Sequence, residues 1–140
     1  MKLLRPREEV HSLFEIDYER LYRLGKRGIL FDLDNTLGGR RPAQLAPEVT
    51  ALLDDLTKMG FQVGILTNRR IGTKDPVIVE LEKSYPLRCR AGKPRKKGFL
   101  DILAQMDVSP EHAVMIGDRL LTDVLGANRL GIYSVRIKPT

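Results

Sequence analysis

Cysteine occurs once in the 140 residues, at Cys89, so no disulfide can form within the chain. Tryptophan is absent, and the two histidines, His11 and His112, stand in no zinc-ligand spacing. Phenylalanine and tyrosine together make up 6% of the residues, which leaves few rings on which bases can stack. No nucleic-acid recognition motif is present either, so nucleic acid is disfavoured as a partner. No apolar run approaches the roughly 20 residues that span a bilayer. The opening MKLLRPREEV carries basic residues without the apolar stretch of a signal peptide. The expected location is therefore the cytoplasm, with any membrane contact peripheral and at its inner face.

What is present suits one globular domain over residues 1–140: 42% of the residues are hydrophobic and 30% charged. The net charge is +6 and the pI about 9.7, which favours an anionic partner such as a phosphorylated substrate, a polynucleotide or an acidic membrane surface. The basic residues cluster as Arg40 and Arg41, Arg69 and Arg70, and the run RCRAGKPRKK from 88 to 97.

Five short apolar runs read as strands: GILFD (28–32), FQVGILT (61–67), PLRCRA (86–91), AVMIG (113–117) and GIYSVRI (131–137). Between the first two, APEVTALLDDLTKMG places Ala51, Leu52, Leu56 and Met59 on one helical face, with Pro47 as start signal and Gly60 as stop. Helices are also expected from Asp75 to Lys83, Lys97 to Met106 and Leu121 to Leu130. EEVHSLFEI and DYERLYRLG, within the first 25 residues, read as two short helices packed on the domain through Leu13, Phe14, Leu21 and Leu24. Alternation of strand and helix predicts right-handed βαβ units: a doubly wound, three-layer, Rossmann-like α/β fold with a five-stranded parallel sheet.

Ligands of open α/β sheets sit beyond the carboxyl ends of the strands, so the polar residues there carry the chemistry. The first run delivers Asp32 and Asp34, the second Thr67 and Asn68, the third is followed by Lys93, and the fourth delivers Asp118 with Asp123 five residues on. Four carboxylates brought together repel unless a cation neutralises them. A hard ion such as Mg2+, held by Asp32, Asp118 and Asp123 with a backbone carbonyl from the Asp34 region, answers that need. A lysine and a hydroxyl beside such an ion suit phosphoryl transfer: Asp32 attacks phosphorus, Asp34 moves the proton, and Thr67 and Lys93 steady the phosphoryl oxygens. Asn68 and Arg69, following Thr67, are assigned to substrate. Because Cβ directions alternate along a strand, the chain must turn just after Asp32 for both aspartates to point inward.

DLDNTL, followed in order by TN, KP and GDRLLTD, resembles the haloacid dehalogenase superfamily of aspartate-nucleophile phosphatases over residues 28–137. That resemblance implies a Mg2+ cofactor, Asp32 as nucleophile, Asp34 as general acid and base, Thr67 as phosphate donor, Lys93 as charge stabiliser, and Asp118 with Asp123 at the metal. The GDRLLTDVLGANRLGIYSV ending is similar to that of the YqeG family, whose relatives include phosphatidylglycerophosphate phosphatases. Many members of the superfamily carry an inserted cap. Here only residues 38–60 and 69–85 are available, each already used by a helix and loops, so a capless, open site is expected. Such a site suits phosphate on something large or surface-presented, such as a lipid headgroup, a phosphoprotein or a polynucleotide end.

Two other chemistries share some of these residues. CRAGKPR (89–95) matches the Cys-x5-Arg loop of cysteine-dependent phosphatases, but Pro94 has no N–H to offer phosphate and Arg88 stands where a histidine is usual. A receiver domain would put its phosphoacceptor on a middle strand and its lysine on the last, whereas here the paired aspartates come first and Lys93 precedes Asp118. A non-catalytic scaffold with this fold would not need every catalytic position filled. The aspartate reading predicts that Cys89→Ser leaves phosphatase activity within about twofold of the unchanged protein; a loss of orders of magnitude would transfer the chemistry to the thiol.

Overall fold

The computed structural model describes residues 2–70 and 75–139. Strands β1 (Glu8–Val10), β2 (Gly28–Phe31), β3 (Gln62–Leu66), β4 (Leu87–Arg88), β5 (Ala113–Gly117) and β6 (Tyr133–Ile137) form one sheet in the order β1-β6-β5-β2-β3-β4. Every pairing is parallel. Helices α1 (Tyr18–Arg23), α2 (Pro47–Met59), α3 (Pro76–Glu82), α4 (Lys96–Met106) and α5 (Leu125–Leu130) cover the two faces.

The central strands β2 and β5 are buried throughout because both of their faces are covered, which is why their sequences show no polar alternation. Alternate residues feed two cores. Ile29 and Phe31 join Val63, Ile65, Val114 and Ile116 beneath α1, α2 and α3, whereas Leu30, Leu66 and Met115 pack with Phe99, Ile102 and Ala127 of α4 and α5. The chain leaves β2 towards β3 on one side and enters β5 on the other. The crevice of this doubly wound sheet therefore opens beyond the carboxyl ends of β2 and β5.

Several expectations change. The sheet has six strands rather than five, because Glu8–Val10, expected as helix, pairs in parallel with Val135–Ile137 on the free edge of β6. The rest of that segment is a single helical turn, Leu13–Glu15, closed by a capping box between Ser12 and Glu15, and only α1 forms a full helix there. Of the four residues expected to anchor it, Leu13 and Leu21 are buried while Phe14 and Leu24 are exposed. In α2 the buried stripe is Val49, Leu53 and Leu56. Ala51 and Met59 point outward, so the stripe is rotated from the expected face by about one residue.

The helix boundaries behave as the punctuation implies: α2 has Pro47 in its first turn and ends on Gly60 in the left-handed region (φ 109°). The expected strand at 86–91 shortens to Leu87–Arg88, since the chain then turns through Arg90 (φ 50°) and Gly92 (φ 70°) towards Lys93. Among the described residues no cap is inserted. Residues 38–60 contribute a loop and α2, and the described part of 69–85 a loop and α3; residues 71–74 of that stretch lie outside the described set.

Candidate active site

Asp32 leaves β2 in extended conformation, and the chain then folds into an irregular helical turn, Leu33–Leu37, broken at Asp34 and at Asn35 (φ 59°). That turn brings Asp32 and Asp34 to one small pocket of about 90 Å³, shared with Thr67, Asn68, Arg69, Lys93, Arg119 and Thr122. The ends of β2 and β3 and the loop after β4 thus deliver the expected side chains to one place.

Lys93 is 5% exposed, and its ammonium sits among three protein oxygens. Its Nζ lies 3.0 Å from Asp32 Oδ1 and 2.6 Å from Asp123 Oδ1, and donates to the Leu66 carbonyl at 2.9 Å. Its backbone is fixed by Asn68, whose Oδ1 accepts from Lys93 N–H (2.8 Å) and whose Nδ2 donates to Lys93 O (3.2 Å). Asn68, expected at the substrate, here sets the position of the lysine.

Asp32 is 7% exposed, and burial pushes its carboxyl up to about 6 against the opposing pull of the Lys93 charge. Oδ1 also accepts from Leu33 N–H at 2.8 Å. Among the described residues no hydrogen bond ends on Oδ2, so that oxygen is uncommitted. Asp34 is differently placed: its carboxylate is clasped by the Arg69 guanidinium, which also pairs with Asp75, and accepts from Arg41 N–H at 2.9 Å. Arg69, expected at the substrate, is thus engaged with two carboxylates of the protein itself. Thr67 is buried, and its hydroxyl accepts from Arg69 N–H at 3.1 Å, which leaves its own proton free to donate.

The carboxylates of Asp32, Asp118 and Asp123 each bring an oxygen within 4.8 Å of the others. The Asp34 carboxylate is engaged by Arg69 instead, and the ligand expected from the Asp34 region is a backbone carbonyl rather than that side chain. Three carboxylates against one ammonium leave two negative charges uncompensated, and burial together with the Asp123 charge raises the Asp118 carboxyl above its ordinary range. Asp118 Oδ1 is buried without a hydrogen-bond partner among the described residues. An all-oxygen donor set, an orphaned carboxylate oxygen and two surplus negative charges fit a hard divalent cation. Gly117 makes the arrangement possible: a Cβ there would stand 2.2 Å from Asp123 Oδ2. Arg119 N–H donates to the same Oδ2 at 3.2 Å.

Arg119 and Thr122 also line the pocket. Both lie inside GDRLLTD, but the helical turn Leu120–Val124 that brings Thr122 round to the pocket has no strand-end signature in the sequence. Cys89 is partly buried beside the core, and burial raises its thiol, the opposite of what a thiolate nucleophile needs.

A pocket lined by paired aspartates and a buried lysine, with a carboxylate triad beside it at the crevice of a doubly wound sheet, has the make-up of a hydrolase site. The family model described as haloacid dehalogenase-like hydrolase matches residues 12–131. Probable phosphatase YqeG of Bacillus subtilis is 33% identical over 99% of this chain and 79% of its own length. Phosphatidylglycerophosphate phosphatase 1 of Chlamydomonas reinhardtii is 24% identical over 98% of this chain, which spans 54% of the algal protein. A HAD phosphatase structure from Thermococcus onnurineus superposes with TM-score 0.67 at 19% identity, covering 79% of this chain and 85% of that one. The chain belongs to the haloacid dehalogenase-like hydrolases, as a phosphatase similar along its whole length to YqeG.

The metal reading predicts that millimolar magnesium raises the melting temperature of chelator-treated protein by roughly 3–8 °C. Asp118→Asn and Gly117→Ala should each remove most of that rise, as measured by thermal denaturation with and without the ion.

Proposed function

We propose that the protein is a magnesium-dependent phosphatase that hydrolyses a phosphomonoester through an aspartyl phosphate on Asp32, and that its substrate is a lipid headgroup phosphate of the phosphatidylglycerophosphate type. The observation that carries the reaction is the state of Asp32: one oxygen is held by Lys93 and Leu33 N–H, and the other is uncommitted at the pocket.

The uncommitted oxygen attacks phosphorus in line, and the bond to the leaving oxygen breaks. Lys93, already fixed from both its backbone and its ammonium, meets the charge on the phosphoryl oxygens, and the Thr67 hydroxyl donates to another of them. Asp34 gives a proton to the leaving oxygen. It then takes one from the water that attacks the aspartyl phosphate, releasing inorganic phosphate and restoring Asp32. Arg69 and Arg41 N–H orient Asp34 at the pocket for both proton transfers. A magnesium ion on the oxygens of Asp32, Asp118 and Asp123 would supply the charge neutralisation that lets one anion approach another.

The substrate assignment is supported by the phosphatidylglycerophosphate phosphatases of Chlamydomonas and Arabidopsis among the relatives. It is also supported by a pocket with no cap above it among the described residues and by exposed Arg40, Arg95 and Lys96. Basic residues near an anionic headgroup layer contribute about 1 kcal/mol each, which favours peripheral docking on the inner face of a membrane from the cytoplasm. Among the described residues no helix is long and apolar enough to cross one.

Phosphate release from phosphatidylglycerophosphate in vesicles should be magnesium-dependent and exceed that from an aryl phosphate, a phosphopeptide and a phosphorylated oligonucleotide. Asp32→Asn should lower it by at least about 10³-fold with the fold intact. Preference for another member of the panel would replace the lipid assignment, and full activity of Asp32→Asn or activity in chelator would overturn the reaction.

A further inference from the structure

Beside the phosphate pocket lies a second, shallower hollow lined by Asn68, Arg70, Arg90 and Gly92. At about 510 Å³ it is much the larger of the two, and Asn68 lines both. The reaction described above uses neither Arg70 nor Arg90. Both are exposed, and among the described residues neither has a carboxylate partner within ion-pair distance. The nearby sequence supplies none: residues 71–74 read IGTK, and Asp75 is engaged by Arg69.

The two arginines are brought together by the backbone. Beyond β3 and β4 the chains continue side by side, with Thr67 N–H donating to Arg88 O (3.0 Å), Arg90 N–H to Arg69 O (2.9 Å) and Ala91 N–H to Thr67 O (3.0 Å). Arg90 occupies the left-handed region (φ 50°), a conformation that costs a side-chain-bearing residue about 1 kcal/mol and that glycine adopts freely. Arg90 lines the hollow from this conformation, where glycine would stand without strain. Two guanidiniums without a carboxylate partner among the described residues, lining a hollow that shares Asn68 with the phosphoryl site, make a fork for an anion rather than a platform for a base.

Resting on the phosphatase reading, we infer that Arg70 and Arg90 form a specificity subsite for a second phosphate on the leaving group. The substrate is then a phosphomonoester carrying a phosphodiester a short polyol away, as in a glycerol-linked lipid headgroup. A 3′-phosphorylated nucleotide chain shares that spacing of charges but would expose its bases to a hollow without aromatic lining.

The test compares three probes: p-nitrophenyl phosphate, glycerophosphoglycerol phosphate (the headgroup without acyl chains) and a 3′-phosphorylated dinucleotide. Arg70→Gln, Arg90→Gln and their double variant are assayed, with Arg90→Gly as a charge-removing change that the backbone favours. The double variant should lower kcat/KM for the headgroup compound about 10- to 30-fold, through KM, while the aryl phosphate changes by less than about threefold. Equal losses on both, or none on either, would overturn the subsite while leaving the phosphatase reading in place. A loss confined to the dinucleotide would overturn the headgroup assignment.

Calorimetric binding of the headgroup compound to Asp32→Asn protein, with and without the two arginines, separates the subsite from the reaction. Tenfold weaker binding without them supports the subsite even if no probe is turned over, and equal binding overturns it.

Discussion

One buried ammonium group, that of Lys93, fastens three strand ends to one another. It reaches Asp32 at the end of β2, the Leu66 carbonyl at the end of β3, and Asp123 in the turn after β5. Burying a charge is tolerable only where its partners are close and complete, and removing one side of such a pair costs about 3–5 kcal/mol. Every neighbouring feature serves that completeness. Asn68 grips the lysine backbone in both directions, Gly117 leaves room for the Asp123 carboxylate, and Gly98 lets the Ala91 carbonyl approach α4 to within 2.3 Å of where a Cβ would stand. The lysine nonetheless compensates only one of three carboxylates, and burial, with the Asp123 charge beside it, pushes up the carboxyls of Asp32 and Asp118. The site is thus assembled tightly yet short of positive charge, the condition in which a divalent cation and a phosphoryl group complete each other.

The sheet topology determines which residues meet there. Because the chain departs from β2 in one direction and returns at β5 in the other, the two central strands end side by side, with helices carried to opposite faces. Asp32 and Asp118 follow from that arrangement alone. Specific chemistry then depends on loops: the turn through Asn35 that swings Asp34 inward, and the turn through Arg90 and Gly92 that returns Lys93 to the centre.

Much of this is legible in the sequence because parallel, doubly covered strands leave uninterrupted apolar runs and place polar residues at their exits. Asp32, Thr67, Lys93, Asp118 and Asp123 are found in that way. Less legible is whatever depends on partners far along the chain. Glu8–Val10 is too short and too charged to announce a strand, and pairs only because β6 offers a free edge. Asn68 and Arg69 look like substrate ligands from their place after Thr67, yet their side chains are engaged by Lys93 and by Asp34 with Asp75, contacts that no local pattern encodes. The α2 stripe is displaced for a related reason: Ala51 has little surface to bury, so the packing is decided by Val49 and Leu53 against the sheet.

The central claim is that Asp32 carries the phosphoryl group, and trapping the intermediate tests it most directly. Protein quenched during turnover would be treated with borohydride, which reduces an acyl phosphate, and its peptides weighed by mass spectrometry. The account predicts reduction at Asp32 alone, absent without magnesium. Modification at another residue, or turnover with no trapped species and net inversion at a chiral phosphorus, would contradict it.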